Sequence, residues 1–168
     1  MTSIANKSAA RRRRGRHGAS PAGAGFTIVE LIIVTAVMLI IAAMAVPSMQ
    51  SAILAAKISR TVGDVRTIGQ AALGFTAENG TAPNSLTDIG YDQQIDPWGN
   101  PYHYLGFTAT TSTAQMRTDM FGVPINTFFD LYSAGPDQDT ATSFSATQSQ
   151  DDVVWANDGT YIGLVSNY

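Results

Sequence analysis

Gly25-Phe26-Thr27-Ile28-Val29-Glu30-Leu31-Ile32-Ile33-Val34-Thr35-Ala36-Val37-Met38-Leu39-Ile40-Ile41-Ala42-Ala43-Met44-Ala45-Val46-Pro47 is the stretch that decides how the rest of the chain is read. From Phe26 through Val46 every side chain is apolar except Thr27, Glu30 and Thr35. A run of this length suits one helical crossing of a bilayer, which takes ~20 mostly apolar residues. Glu30 is the one charge within it. A carboxylate in hydrocarbon is costly, so it points to a function and to a partner of opposite charge. Immediately upstream stand Arg11, Arg12, Arg13, Arg14 and Arg16. Such a basic flank holds its end of a span in the cytoplasm. Everything after the run is therefore read as what the helix carries on the other side.

Charge divides at the same place. Lys7 and the five arginines give +6 before Phe26. After it, Lys57, Arg60, Arg66 and Arg117 face all 13 acidic residues, which leaves −9 and reproduces the formal net charge of −3. An acidic exported part argues against a nucleic-acid backbone as partner, and none is expected. The arginine run alone would also suit a nucleic-acid tail or a localisation signal. Followed at once by an apolar span, it reads better as a leader. The chain has no cysteine. That excludes a disulfide framework, thiolate metal sites and a Cys nucleophile, and leaves a small exported domain in need of another staple.

Residues 1–25 are expected to be disordered, being basic and rich in Ala, Gly and Ser; His17, within them, is assigned no role. The helix is expected to continue past Pro47. Leu54, Ile58, Val62, Val65, Ile68 and Leu73 form an apolar stripe at mostly three- and four-residue steps, with Ala72 filling in. Lys57, Arg60, Asp64, Arg66 and Gln70 lie largely off it. Pro47 lacks a backbone donor and crowds the preceding turn, so a bend or local melting is expected there. Gly63, Gly69 and Gly74 are read as weakening the helix. Asn79-Gly80 is the expected stop, with Pro83 beyond. Residues 81–100 read as loop with one helical turn at Ser85–Ile89. Short β-like runs follow at 102–107, Gln115–Phe121, 127–132, 153–155 and 160–165, with a polar loop at 138–150. The fold class is α+β: a long N-terminal helix packed on a small antiparallel sheet. The segments are a leader over 1–25, a membrane or filament-core helix over 26–47, an amphipathic continuation over 48–80 and a globular part over 81–168.

The stretch Gly25-Phe26-Thr27-Ile28-Val29-Glu30-Leu31 resembles the prepilin cleavage and methylation motif of type IV pilins and type II secretion pseudopilins. The resemblance implies cleavage between Gly25 and Phe26 by a membrane peptidase, N-methylation of Phe26, and an assembly role for Glu30. Pro47 falls where the family has a helix-kinking proline. Without the resemblance, the same residues would make an uncleaved signal anchor. Asp96-Pro97-Trp98-Gly99-Asn100-Pro101-Tyr102-His103-Tyr104 is similar to a turn-and-strand motif of major pseudopilins. On physical grounds it is a rigid turn: two prolines fix φ, Gly99-Asn100 supplies the reversal, and Trp98 offers an apolar plate. One His with no Cys makes zinc at His103 unfavourable.

Asp130-Leu131-Tyr132-Ser133-Ala134-Gly135-Pro136-Asp137-Gln138-Asp139, with Asp151-Asp152-Val153-Val154-Trp155, resembles the calcium loop of major pseudopilins. The resemblance implies Asp137 and Asp152 as side-chain ligands. Asp139 and Asp151 are second choices, and the carbonyls of Leu131 and Ser133 would complete the shell. Calcium takes six to eight oxygens, and clustered carboxylates repel without a cation. A solvated acidic surface loop is the alternative. No Gly-x-Ser-x-Gly, Walker or dinucleotide signature occurs, so no enzyme is expected.

The fold that the resemblance implies is pilin-like. The implied function is that of a structural subunit of a type II secretion pseudopilus, which assembles from the bacterial inner membrane and helps export folded proteins. The implied partners are other copies of the chain, minor pseudopilins, the prepilin peptidase and the inner-membrane assembly platform, with the C-terminal domain in the periplasm. A type IV pilin for adhesion, motility or DNA uptake is the alternative within the family. A membrane-anchored periplasmic binding or enzyme module that borrows the leader is the alternative of another class, and it would not self-assemble. The sequence predicts that protein extracted from membranes has the intact mass of a chain starting at methylated Phe26. A mass that retains the arginine run would overturn the cleavage site.

Overall fold

The structure is a computed structural model that describes residues 25–168. The arginine run, His17 and the rest of the expected leader before Gly25 lie outside the described residues. Helix α1 spans Ile28–Asn79 and carries Pro47 inside it. The chain divides into two compact units between Ala43 and Met44.

In the first unit, Phe26 and the apolar side chains from Ile28 through Ile41 are exposed. Phe26 is 81% exposed and Leu39 70%. No polar face accompanies them, so this segment is not the amphipathic surface helix of a water-soluble domain. It is long and apolar enough to cross a membrane.

In the second unit, α1 stays helical through Pro47, and the local melting expected there is not present. Pro47 removes the bond that would have reached the Ala43 carbonyl. That single loss does not interrupt the helix. The stop is where Asn79-Gly80 placed it: Gly80 adopts φ 76° and its N–H donates to the Thr76 carbonyl at 2.8 Å. A short 3-10 turn at Leu86–Ile89 follows, entered through Ser85 and closed by Gly90 at φ 76°.

Four short strands form one antiparallel meander in the order β1-β2-β3-β4: β1 His103–Gly106, β2 Phe129–Ser133, β3 Val153–Ala156 and β4 Tyr161–Leu164. Tyr104 pairs with Leu131, and Leu131 with Trp155. Trp155 then pairs with Ile162. Alternation gives the sheet two buried faces. One carries Phe129, Leu131, Val153 and Trp155, packed with Val65, Ile68 and Ala72 of α1. The stripe read from the sequence is that contact, with Leu54 left 42% exposed beyond it. The other face carries Val154 and Ala156, which pack with Ile125, Phe144 and Val165.

The strand expected at Gln115–Phe121 is not formed. Residues Thr113–Gln115 make a 3-10 turn, and Thr118 alone makes isolated bridges to Pro124 and Ser143. The reason lies in Asp119. Its Oδ1 accepts from the N–H groups of Phe121 and Val123, at 2.8 and 2.9 Å. Gly122 at φ 78° completes a tight reversal that no ladder can follow.

Trp155 sets how close the helix can come. A Cβ on Gly69 would stand 2.2 Å from Trp155 Cε3, and one on Gly159 would stand 2.4 Å from Cζ2. The indole is gripped between two bare backbones. Helix propensity alone predicts that Gly69→Ala stabilises by about 1 kcal/mol. The contact predicts the opposite sign, a loss of about 1–3 kcal/mol from overpacking. The urea midpoint, followed by tryptophan fluorescence, decides between them.

Candidate functional site

Two places carry the polar chemistry expected from the sequence: the head of α1 and the acidic segment around β3. At the head, Thr27 is the N-cap of α1. Its N–H and its hydroxyl both donate to Glu30 Oε2, at 2.9 and 2.8 Å. The Glu30 N–H donates back to Thr27 Oγ1 at 3.2 Å. This is a reciprocal capping box, Thr-x-x-Glu, which satisfies helix N–H groups that otherwise have no partner. In the sequence Glu30 stands out as an isolated charge, and the Thr27-Ile28-Val29-Glu30 spacing is the signal that marks it as half of a cap. Cleavage after Gly25 would leave the box intact, because Thr27 keeps its amide N–H.

Around β3 the six expected calcium ligands are scattered. Asp137 and Asp139 are exposed, and the Asp139 N–H donates to Asp137 Oδ1 at 2.9 Å. Asp151 is half-buried and accepts the Asp137 N–H at 3.3 Å. Burial, with the Asp137 carboxylate nearby as a lesser cause, raises the Asp151 carboxyl above its usual range. Leu131 lies in an interior strand, paired on both sides, so its carbonyl faces β1 or β3. The Ser133 hydroxyl donates to Asp96 Oδ2 at 2.6 Å.

Asp152 is fully buried and engaged elsewhere. Its Oδ2 meets Arg117 Nη2 at 2.5 Å. The same oxygen accepts the Thr140 hydroxyl at 2.6 Å. Thr140 Oγ1 in turn accepts Arg117 Nη1 at 2.8 Å, closing a three-residue ring. The guanidinium carbon lies 4.1 Å from the Tyr132 ring centroid and 5.3 Å from that of Phe144, a cation–π seat on the second face of the sheet. Burial pushes the Asp152 carboxyl up to about 6, against the pull of Arg117 and Thr140. At neutral pH it is still ionised. Asp130, also buried, accepts the Arg117 N–H at 2.6 Å and the Asn126 amide at 3.0 Å. Desolvation raises its carboxyl in spite of these bonds.

Arg117 had been assigned no role, though one signal was available. It is the only Lys or Arg after Arg66 and faces ten aspartates in that part of the chain. A lone cation among so many carboxylates has strong reason to be buried with one of them.

The residues expected to hold calcium do not fit a resident ion as folded. Among the described residues, no three His, Cys, Asp or Glu side chains converge on one point. The best-placed carboxylate already carries a cation.

The turn at 96–101 is organised by Asp96 rather than by Trp98. Asp96 is buried, and its Oδ1 accepts from the N–H groups of Trp98 and Asn100, at 3.0 and 2.9 Å. With Ser133 on Oδ2, one carboxylate fastens the turn to the end of β2. Trp98 is only half-buried, with Lys57 Nζ 5.8 Å from its ring.

One comparison with known proteins bears on this arrangement. The chain is 28% identical over 134 aligned positions to the type II secretion system core protein G of Pseudomonas aeruginosa, which covers 67% of this chain and 83% of that protein. The chain is therefore similar to a major pseudopilin, and its long helix and small antiparallel sheet fit a pilin-like fold. No protein-family model matches the chain, and no solved structure matches it significantly. The pilin-like fold here is one long N-terminal helix with a four-stranded antiparallel sheet. Its apolar start fits anchoring in an inner membrane.

Asp96→Ala removes the acceptor for two backbone N–H groups and one buried hydroxyl. Bonds to a charged group are worth about 1.5–3 kcal/mol each, and losses that share one acceptor do not add. The expected loss is about 2–4 kcal/mol in urea unfolding. A loss under about 0.5 kcal/mol, the range of ordinary surface substitutions, would show that the turn does not need its carboxylate.

Proposed function

We propose that this chain is a structural subunit of a type II secretion pseudopilus, held in the inner membrane before assembly, with its C-terminal domain in the periplasm. The observation that carries the reading is the exposed apolar start of α1 with a carboxylate at its head. In a membrane those side chains are solvated by lipid. In a filament they are buried by the same segment of neighbouring copies. The similarity to a core pseudopilin supports the second environment as well as the first.

The mechanism is mechanical. A prepilin peptidase cuts between Gly25 and Phe26 and methylates the new amine. Copies then leave the bilayer through the assembly platform and join a helical array, capped or initiated by minor pseudopilins. Head-to-tail contacts of this kind do not close, so they propagate as a fibre. The array pushes folded cargo outward. No chemical step by this chain is proposed.

Glu30 gives the array its register. The Phe26 amine adds positive charge at the positive end of the helix dipole, which is unfavourable there. The carboxylate of a neighbour offsets it in a low-dielectric setting. Pro47, where α1 lacks one backbone bond, is the place for the helix to loosen on assembly.

The test separates charge from capping. Glu30→Gln keeps an oxygen acceptor for Thr27 but no charge, and Glu30→Leu keeps neither. Thr27→Ala weakens the cap by about 1 kcal/mol and leaves the charge. All three are expected to insert and be cleaved. Electron microscopy of overproducing cells is expected to show filaments for wild type and Thr27→Ala, and few or none for the two Glu30 variants. Normal filaments from Glu30→Gln would remove the charge from the mechanism. A wild type that never self-assembles would favour an anchored binding module instead.

A further inference from the structure

We propose that Arg117 is the built-in cation of the acidic segment, and that its guanidinium closes residues 138–150 onto β3 in place of a bound calcium ion. The proposal concerns the fold of one chain, and it stands whether or not that chain forms filaments.

The need for a cation is evident. Asp137 and Asp139 stand at the start of the polar loop 138–150, and Asp151 and Asp152 directly follow its end. Asp152 is fully buried, and a buried carboxylate without a counter-charge is strongly destabilising. Arg117 supplies the charge from a third segment. It reaches Asp152 at the end of the loop and Thr140 near its start, so one side chain spans the closure. Its own backbone neighbour extends the tie. The Thr118 N–H donates to the Thr142 carbonyl, and the Phe144 N–H donates to the Thr118 carbonyl, both at 2.9 Å. Ser149 then fastens the loop across itself, accepting the Ala141 N–H at 3.1 Å and donating to the Ala141 carbonyl at 2.9 Å.

Two orphaned atoms support the same reading. Asp152 Oδ1 and Arg117 Nε are both buried without a hydrogen-bond partner. A side-on arginine fork uses Nε and Nη2 against the two oxygens of one carboxylate. Nη2 already meets Oδ2. The remaining donor and acceptor belong to the same two side chains, so each is the kind of partner that the other lacks. The free oxygen of Asp152 is therefore matched to Arg117 and does not call for a metal. A divalent ion at Asp152 would have to displace a guanidinium that cannot lose its proton and is packed on Tyr132 and Phe144, or else sit beside its charge.

The experiment uses the mature full chain in detergent, with added calcium or with a calcium chelator. Hydrogen exchange at residues 138–150 and the melting temperature are both read. Wild type is expected to give the same exchange and the same melting temperature in the two buffers. Arg117→Met, which keeps much of the packing volume, is expected to speed exchange in the loop about tenfold or more in both buffers, as loss of one partner of a buried pair requires. Arg117→Lys, a point charge that cannot span both partners, falls between. Thr140→Val keeps the fold and gives a smaller increase, so the tie is still read if Arg117→Met does not fold. A wild type that melts lower or exchanges faster with chelator would overturn the proposal, as would unchanged loop exchange in Arg117→Met or in Thr140→Val.

Discussion

The indole of Trp155, clasped between the bare backbones of Gly69 and Gly159, is the contact on which the second unit depends. Phe129 stacks beside it with ring centroids 5.8 Å apart. Val65, Ile68 and Ala72 close over the same face from α1. A side chain at position 69 would lift the helix off this plate and open the core on both sides of it. The strands are short, each only four or five residues long, so they rely heavily on packing against their faces. Their order follows from that economy. Each strand pairs with the next in sequence, and the whole sheet is stitched to a single helix.

A sheet with one face on a helix still has a second face to cover. Here the cover is loop and short turns, drawn from residues 107–128 and 138–150 and from the C-terminal turn at Val165–Asn167. Loop brings polar backbone and acidic side chains over an apolar surface, and buried polar groups must find partners. Arg117 resolves that conflict. Its guanidinium lies over Tyr132 and Phe144 as packing, while its N–H groups serve Asp152 and Thr140. Lysine could not do both, because an ammonium has neither the planar face nor the fork.

The helix, its stripe, its stop at Gly80 and four of the five strand runs were legible in the sequence, because each is signalled by residues close together in the chain. The false strand at Gln115–Phe121 has the right residue types. The deciding signal was one Asx turn at Asp119, which reverses the chain directly after the single bridged residue Thr118. Gly69 looked like a defect in a helix until Trp155, far along the chain, was set against it. Asp96 was hidden behind the more conspicuous prolines and tryptophan of its own turn. The acidic segment was the instructive case. Its residue types matched a metal loop, but which cation it uses is a question of reach. Arg117 and Asp152 are 35 positions apart, and no local pattern joins them.

Glu30 shows how a local signal and an intermolecular one can share a side chain. The capping bonds from Thr27 both fall on Oε2. A carboxylate has a second oxygen with its own lone pairs. On the proposed pseudopilus reading, that oxygen is the acceptor for the amine of an incoming copy, and the cap need not break for docking to occur. The two interactions then reinforce each other. The cap holds the side chain against the first turn, which lowers the entropy lost when the neighbour arrives. The carboxylate at the positive end of the dipole is stabilised before assembly, which also eases its residence in lipid. A lone carboxylate further along the run would have neither support. Placing the charge at the third helical position, behind a threonine cap, therefore lets one acidic residue be tolerable in the membrane and still available in the filament.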